Sequence, residues 1–147
     1  MAQSNNDIKV IKVNDHPENL AKVHEIRRVV FIEEQNCPPE LEWEFEEEST
    51  HFLAIYQNLP AGACRWRETK HGYKLERFAV LKEFRGRGVA RSLITSVLED
   101  LPISANYIYL NAQIQAIPLY EKFGFVKEGD EFDEAGIQHF KMVFNDI

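Results

Sequence analysis

The chain is poor in cysteine, in long apolar runs and in positive charge, and each shortage removes a class of protein. Its two cysteines, Cys37 and Cys64, form no CxxC pair and lack zinc-ligand spacing, which excludes a thiolate metal site. Neither lies in a nucleophile motif, and both read as reduced, small, semi-apolar side chains. No apolar run is long enough to cross a bilayer. The first residues, Met1-Ala2-Gln3-Ser4-Asn5-Asn6-Asp7, have neither the basic nor the apolar region of a secretion signal, so a cytoplasmic address is the expectation. With 24 acidic against 17 basic residues the net charge is −7, whereas a nucleic-acid binder needs a positive field. Internal repeats, low-complexity tracts and linker-like boundaries are also absent.

What is present suits one compact domain over 1–147. The 147 residues are 44% hydrophobic and 28% charged, enough for a sizeable core. The alternation in Ile8 to Val13 predicts a half-buried strand. Asn14 or Asp15 then caps a helix with Pro17 in its first turn and an apolar stripe of Leu20, Val23, Ile26 and Val30. Cys37-Pro38-Pro39 ends helical structure, and a Glu-rich loop follows. Thr50 to Tyr56, Ala61 to Glu68 and Tyr73 to Val80 read as an antiparallel meander, turning at Gln57-Asn58-Leu59-Pro60 and Lys70-His71-Gly72. A helix is expected from Gly88 to Asp100, with Val89, Leu93, Ile94, Val97 and Leu98 on one face. Tyr107 to Asn111 is a strand, Gln115 to Phe123 a short helix stopped at Gly124, and the tail from Phe125 to about Phe144 a second hairpin. The order β-α-β-β-β-α-β-α-β-β implies an α/β chain with a mixed sheet and helices packed on it.

The most informative stretch is where the third meander strand meets the long helix. Gly86 and Gly88 in Arg85-Gly86-Arg87-Gly88-Val89-Ala90 let the backbone bend and approach a ligand. The first N–H groups of the helix have no internal partners, the helix dipole is positive there, and Arg85, Arg87 and Arg91 add charge. A pyrophosphate satisfies all three conditions. Glycine spacing alone equally describes a solvated turn; the flanking strand and helix turn the reading toward phosphate. The turn is not a P-loop, which needs a Gly-Lys-Ser or Gly-Lys-Thr ending. Nor is it a dinucleotide fingerprint, because Arg91 stands where the third glycine belongs.

At these residues the chain resembles a known family. Arg85-Gly86-Arg87-Gly88-Val89-Ala90 is similar to the Q/R-x-x-G-x-G/A loop of the GNAT N-acetyltransferases. The segment from Ala116 through Tyr120-Glu121-Lys122 to Gly124-Phe125 resembles the later A-x-x-x-Y-E-K-x-G-F helix of that family. Four further segments resemble its YjcF/ElaA-like branch: Val30 to Gln35, Lys74 to Val80, Leu110 to Gln113 and Glu134 to His139. The resemblance implies the GNAT fold, acetyl-CoA as co-substrate and no metal. It further implies that the main chain of Phe78, Ala79 and Val80 holds the pantetheine arm. Arg85, Gly86, Arg87, Gly88, Val89, Ala90 and Arg91 would hold the pyrophosphate, and Asn111, Gln113 and Tyr120 complete the cofactor site. Gln113, a longer amide that can still bond pantetheine, stands where many members have asparagine.

Direct attack of an amine on the thioester needs a base, because a free lysine-type amine titrates near ~10.4. Glu76, on the strand leading to the cofactor turn, is the first candidate, acting through water, and His139 is the second. Glu76 reads equally as an exposed strand carboxylate paired with Arg77, and His139 as a structural histidine. Tyr120 is the candidate acid, protonating the departing thiolate or hydrogen-bonding its sulfur. Acceptor contacts fall to Gln35, by family likeness, and to Glu42, Glu44 or Glu47 as a wall attracting a cationic amine. The Glu-rich stretch also reads as a solvated loop. Trp43 and Trp66 could line an acceptor cleft, although large aromatics are usually core or interface residues, and His51 reads as structural. The expected activity is acetyl transfer to a primary amine on a small molecule, peptide or protein, without nucleic-acid or membrane partners. A non-catalytic acyl-CoA-binding sensor or interaction module is the alternative, and a DNA-associated regulator the third reading. Exposed edge strands leave a homodimer open.

Overall fold

In a computed structural model that describes residues 7–145, the alternating segment Ile8–Lys12 forms strand β1. The start of the chain read for secretion features, Met1 to Asn6, lies outside the described residues. Helix α1, Pro17–Arg27, carries Pro17 in its first turn and runs on as a π-helical stretch, Arg28–Glu34. Its N-cap is His16 rather than Asn14 or Asp15. The Asn14 side chain is taken elsewhere: it accepts from the His51 N–H at 2.7 Å and donates to the Ser49 carbonyl at 2.8 Å. The Glu-rich segment is not wholly loop, for Pro39–Glu42 makes a short helix, α2.

Strands β2 (Thr50–Tyr56), β3 (Leu59–Thr69) and β4 (Gly72–Val80) form the meander. Its first turn is tighter than the sequence suggests. Gln57 and Asn58 both have positive φ, 48° and 71°, the pattern of a two-residue hairpin loop. Leu59 and Pro60 therefore belong to β3. Helix α3 is Val89–Asp100, β5 is Ile108–Gln113, α4 is Ile117–Glu121, and β6 (Phe125–Glu134) with β7 (Ile137–Phe144) forms the last hairpin. The strands make one seven-stranded sheet in the order β1-β2-β3-β4-β5-β7-β6. It is mixed: β4 and β5 are parallel, which requires the α3 crossover, and the other pairs are antiparallel.

Each face of the sheet has its own core. Leu75, Leu110, Ala112 and Met142 meet Val89, Leu93, Ile94 and Val97 of α3 on one face. On the other, Val23, Ile26 and Val30 pack on Leu53, Ala63 and Ala79. Gly62 sets how closely α3 approaches, since a Cβ there would lie 2.9 Å from both the Ala79 carbonyl oxygen and Val89 Cγ1. The register also puts a polar strip on the α1 face. Arg65 pairs with Glu76, Arg67 with Lys74, Lys74 with Tyr109 and Gln113 with His139, so their side chains share that face.

Two irregularities open the sheet beside this strip. The β3–β4 register slips between Arg65↔Glu76 and Ala63↔Ala79, and Arg77 takes the extra place with φ 60°. The parallel pairing of β4 and β5 covers only Tyr73–Leu75 against Ile108–Leu110. Beyond Leu75 and Leu110 the two strands part, while β5 stays paired to β7 through Gln113.

Candidate active site

The parting strands border two cavities. One, of about 320 Å³, lies at the start of α3 and is lined by Val80, Arg85, Gly86, Gly88, Val89, Ala90 and Arg91, with Leu119 of α4 opposite. Gly88 is the N-cap of α3 in the left-handed region, φ 86°, a conformation that costs an L side chain about 1–2 kcal/mol. The first intrahelical bond here is Ser92 N–H to the Gly88 carbonyl, 3.1 Å, which leaves the preceding amides unpaired within the helix. These amides, the dipole and Arg91 suit a diphosphate. Arg85 is drawn back, its Nε donating to the Val80 carbonyl at 2.8 Å and its Nη2 to Glu34 at 2.6 Å. Arg87 does not line this cavity and sits over the Tyr56 ring, 5.5 Å from its centroid. Ala79 is buried toward α1, so only its main chain is left to meet a ligand.

The second cavity, about 390 Å³, occupies the gap between β4 and β5. Phe78, Asn111, Gln113, Tyr120 and His139 all border it, as do Gln35, Glu42, Glu44 and Glu76. Tyr120 is held edge-on between Phe78 and Phe125, with ring centroids 5.8 and 6.1 Å away. Burial pushes its phenol well above the usual tyrosine value, so it stays protonated and acts as a donor. His139 is 6% exposed and stacks on Phe132. Its Nδ1 lies 2.7 Å from the Ile137 carbonyl. A carbonyl only accepts, so Nδ1 carries the proton and the lone pair of the neutral ring is on Nε2. Gln113 Nε2 donates to Gln35 Oε1 across the gap at 2.9 Å, and Asn111 Nδ2 donates to Glu134 at 3.1 Å.

The floor of this cavity is an ion cluster. Glu76 accepts from Arg65 Nε at 2.9 Å and Arg67 Nε at 2.7 Å, with Lys74 Nζ 3.3 Å from its second oxygen. Burial alone would push this carboxyl up, but Arg65, Lys74 and Arg67 hold it down at about 2. A carboxylate so stabilised is a weak proton acceptor, and its ion pairs take Glu76 out of the role of base. It is also not an exposed strand carboxylate, being 8% exposed. Glu42 is likewise no solvated wall. It is 1% exposed and locked to Arg27 Nε at 2.7 Å and Arg77 Nε at 3.2 Å. Glu46 bridges Arg27 and Arg65 behind it.

Of the acceptor-side residues expected from the sequence, Gln35 and Glu44 border the cavity, and Glu47 does not. Trp43 meets His24 edge-on and carries the Arg27 guanidinium over its ring, and Trp66 donates to Asp100 at 2.9 Å, so neither tryptophan reaches the cleft. His51 is buried against the Glu46 carbonyl. Burial pushes the Cys37 and Cys64 thiols up, which keeps them protonated. Arg67, Lys74 and Glu134 border the cavity without a role assigned to them from the sequence, and Arg77, read there only as a partner of Glu76, borders it too. For Arg67 and Lys74 the signal was alternation: Arg65, Arg67, Lys74 and Glu76 recur at every second position of adjacent strands.

Residues 12–145 match the family model of the acetyltransferase (GNAT) domain. The chain therefore belongs to the GNAT acetyltransferase family. Among individual proteins it is 44% identical over 131 residues to YjcF of Bacillus subtilis (strain 168), an uncharacterised N-acetyltransferase, covering 86% of this chain and 92% of that one. The fold is shared with Escherichia coli ElaA (TM-score 0.78, 22% identity, 94% of this chain and 99% of that one). It is shared too with a GNAT acetyltransferase from Elizabethkingia anophelis solved with acetyl-CoA bound (TM-score 0.71, 14% identity, 94% and 97%).

Proposed function

We propose that the chain, acting as one domain over 1–147 in the cytoplasm, transfers the acetyl group of acetyl-CoA to a primary amine by direct attack. The observation that carries this reading is the adjacency of the two cavities. Phe78 and Val80 of β4, like Leu119 and Tyr120 of α4, border one cavity each. A diphosphate on the α3 amides would thus extend its thiol arm along β4 to Tyr120.

The neutral amine nitrogen forms a bond to the thioester carbonyl carbon, and the carbon–sulfur bond breaks with its electron pair going to sulfur. The proton lost by nitrogen goes to His139 Nε2, directly or through water. A β4 N–H stabilises the oxyanion formed on the way. Tyr120 donates a hydrogen bond to the departing thiolate. Its raised phenol is a weaker acid than a thiol near ~8.5, so hydrogen bonding rather than complete proton transfer is its contribution. Glu76 positions Arg65, Arg67 and Lys74.

Tyr120→Phe keeps the ring and removes only the donor. With acetyl-CoA and a broad amine panel, thiol release should fall about 10- to 100-fold in kcat, while calorimetry shows the Kd for acetyl-CoA unchanged. Binding of acetyl-CoA with no amine-dependent thiol release and no Tyr120 dependence would make the chain an acyl-CoA-binding module. Absence of heat with coenzyme A would end the cofactor reading itself.

A further inference from the structure

On the transfer reading of this cavity, we infer that the acceptor is an amine that also carries a carboxylate, as a free amino acid does, and that Arg67 and Lys74 receive the carboxylate. The reason is a shortage of anions around the cavity floor. Glu76 is shared by Arg65, Arg67 and Lys74 and is the one carboxylate paired with the last two among the described residues. Glu42 is shared by Arg27 and Arg77, and Glu46 by Arg27 and Arg65. Positive groups thus outnumber carboxylates in a largely dehydrated cluster. Arg27 Nη1 and Arg65 Nη2 are themselves ion-paired, 2.7 Å from Glu46 and 2.8 Å from Glu76, whereas Arg67 and Lys74 have only a share of Glu76. Uncompensated charge in such a place favours an incoming anion.

Arg67 and Lys74 are where that anion fits. Both border the cavity and share Glu76. Arg67 gives its Nε to Glu76, and its guanidinium lies over the Phe45 ring, 3.9 Å from the centroid. Its remaining N–H donors have no acceptor among the described residues. A planar guanidinium beside an ammonium matches a carboxylate. The two further acids of the cavity are elsewhere: Glu44 precedes Phe45, and Glu134 ends β6, bonded to Asn111. Neither pairs with Arg67 or Lys74, so the cavity offers an anionic side to the amine and a cationic side to the carboxylate. Leu41 and Phe45, both exposed and both on its border, suit an apolar side chain.

The test compares phenylalanine, leucine and glycine with their amides and with the corresponding decarboxylated amines, using acetyl-CoA and thiol release. The free amino acid is expected to exceed both analogues at least about 10-fold in kcat/KM, the worth of one charge-assisted contact. Lys74→Gln should raise the KM of the carboxylated acceptor by a similar factor and leave that of acetyl-CoA unchanged, with Lys74→Arg restoring it. An amide, a simple amine or phosphoethanolamine turned over as well as the amino acids overturns the inference. Binding of coenzyme A with no turnover of any amino acid overturns it too, while leaving the cofactor reading standing. Failure to bind coenzyme A removes both.

Discussion

Replacing Glu76 with glutamine tests the ion cluster beneath the cavity. The carboxylate is 8% exposed and sits within 3.3 Å of three cationic side chains, Arg65, Arg67 and Lys74. Its ordinary value of 4.5 is depressed to about 2 in the folded chain. That difference corresponds to about 3 kcal/mol of folding stability. An independent route leads to the same size, because removing one partner of a buried ion pair costs roughly 3–5 kcal/mol. Glu76→Gln should therefore lower the urea midpoint at pH 7 by about 1.5 M, for a slope near ~2 kcal/mol/M. Since the folded value is the lower one, the stabilisation is complete above pH 4.5 and is lost as pH falls from there toward 2. The gap between wild type and variant should stay constant from pH 8 to about 5 and narrow below 4.5. Coincident midpoints at pH 7, or a gap that widens in acid, would refute the account of Glu76 as a charge anchor.

Two glycine substitutions probe the cofactor end. Gly62→Ala puts a Cβ 2.9 Å from the Ala79 carbonyl oxygen, so α3 must shift; a loss of about 1–3 kcal/mol is expected in denaturant unfolding. Gly88→Ala strains a φ of 86° but meets nothing nearer than Ile8 Cδ1 at 3.9 Å. It should cost about 1 kcal/mol of stability and weaken coenzyme A binding about 10-fold by crowding the diphosphate. Unchanged affinity in calorimetry would place the diphosphate elsewhere.

Much of the architecture is legible along the chain because its signals are local. The apolar positions of α3 recur at helical spacing, and Val89, Leu93, Ile94 and Val97 are all buried. The bend of the glycine loop is legible too, since Gly86 and Gly88 both take the positive φ that glycine permits. Misreadings cluster where a distant partner intervenes. Asn14 does not cap α1 because β2 claims its side chain. Trp66, readable from sequence as either cleft or core, is turned toward α3 and bonds Asp100. Glu42 looked like surface charge because its partners, Arg27 and Arg77, lie 15 and 35 residues away.

The order of elements, the anion-ready turn and the tyrosine helix were determined by the sequence itself, through periodicity, backbone freedom and motif. The chemistry of the gap was decided only by the tertiary structure. Early parting of β4 from β5 creates the space, and the Ile137 carbonyl selects the His139 tautomer. Strand register gathers more cations than carboxylates on one sheet face. A charge acquires its partners and its proton affinity from the groups that folding brings within a few ångströms, and chain order does not encode that distance.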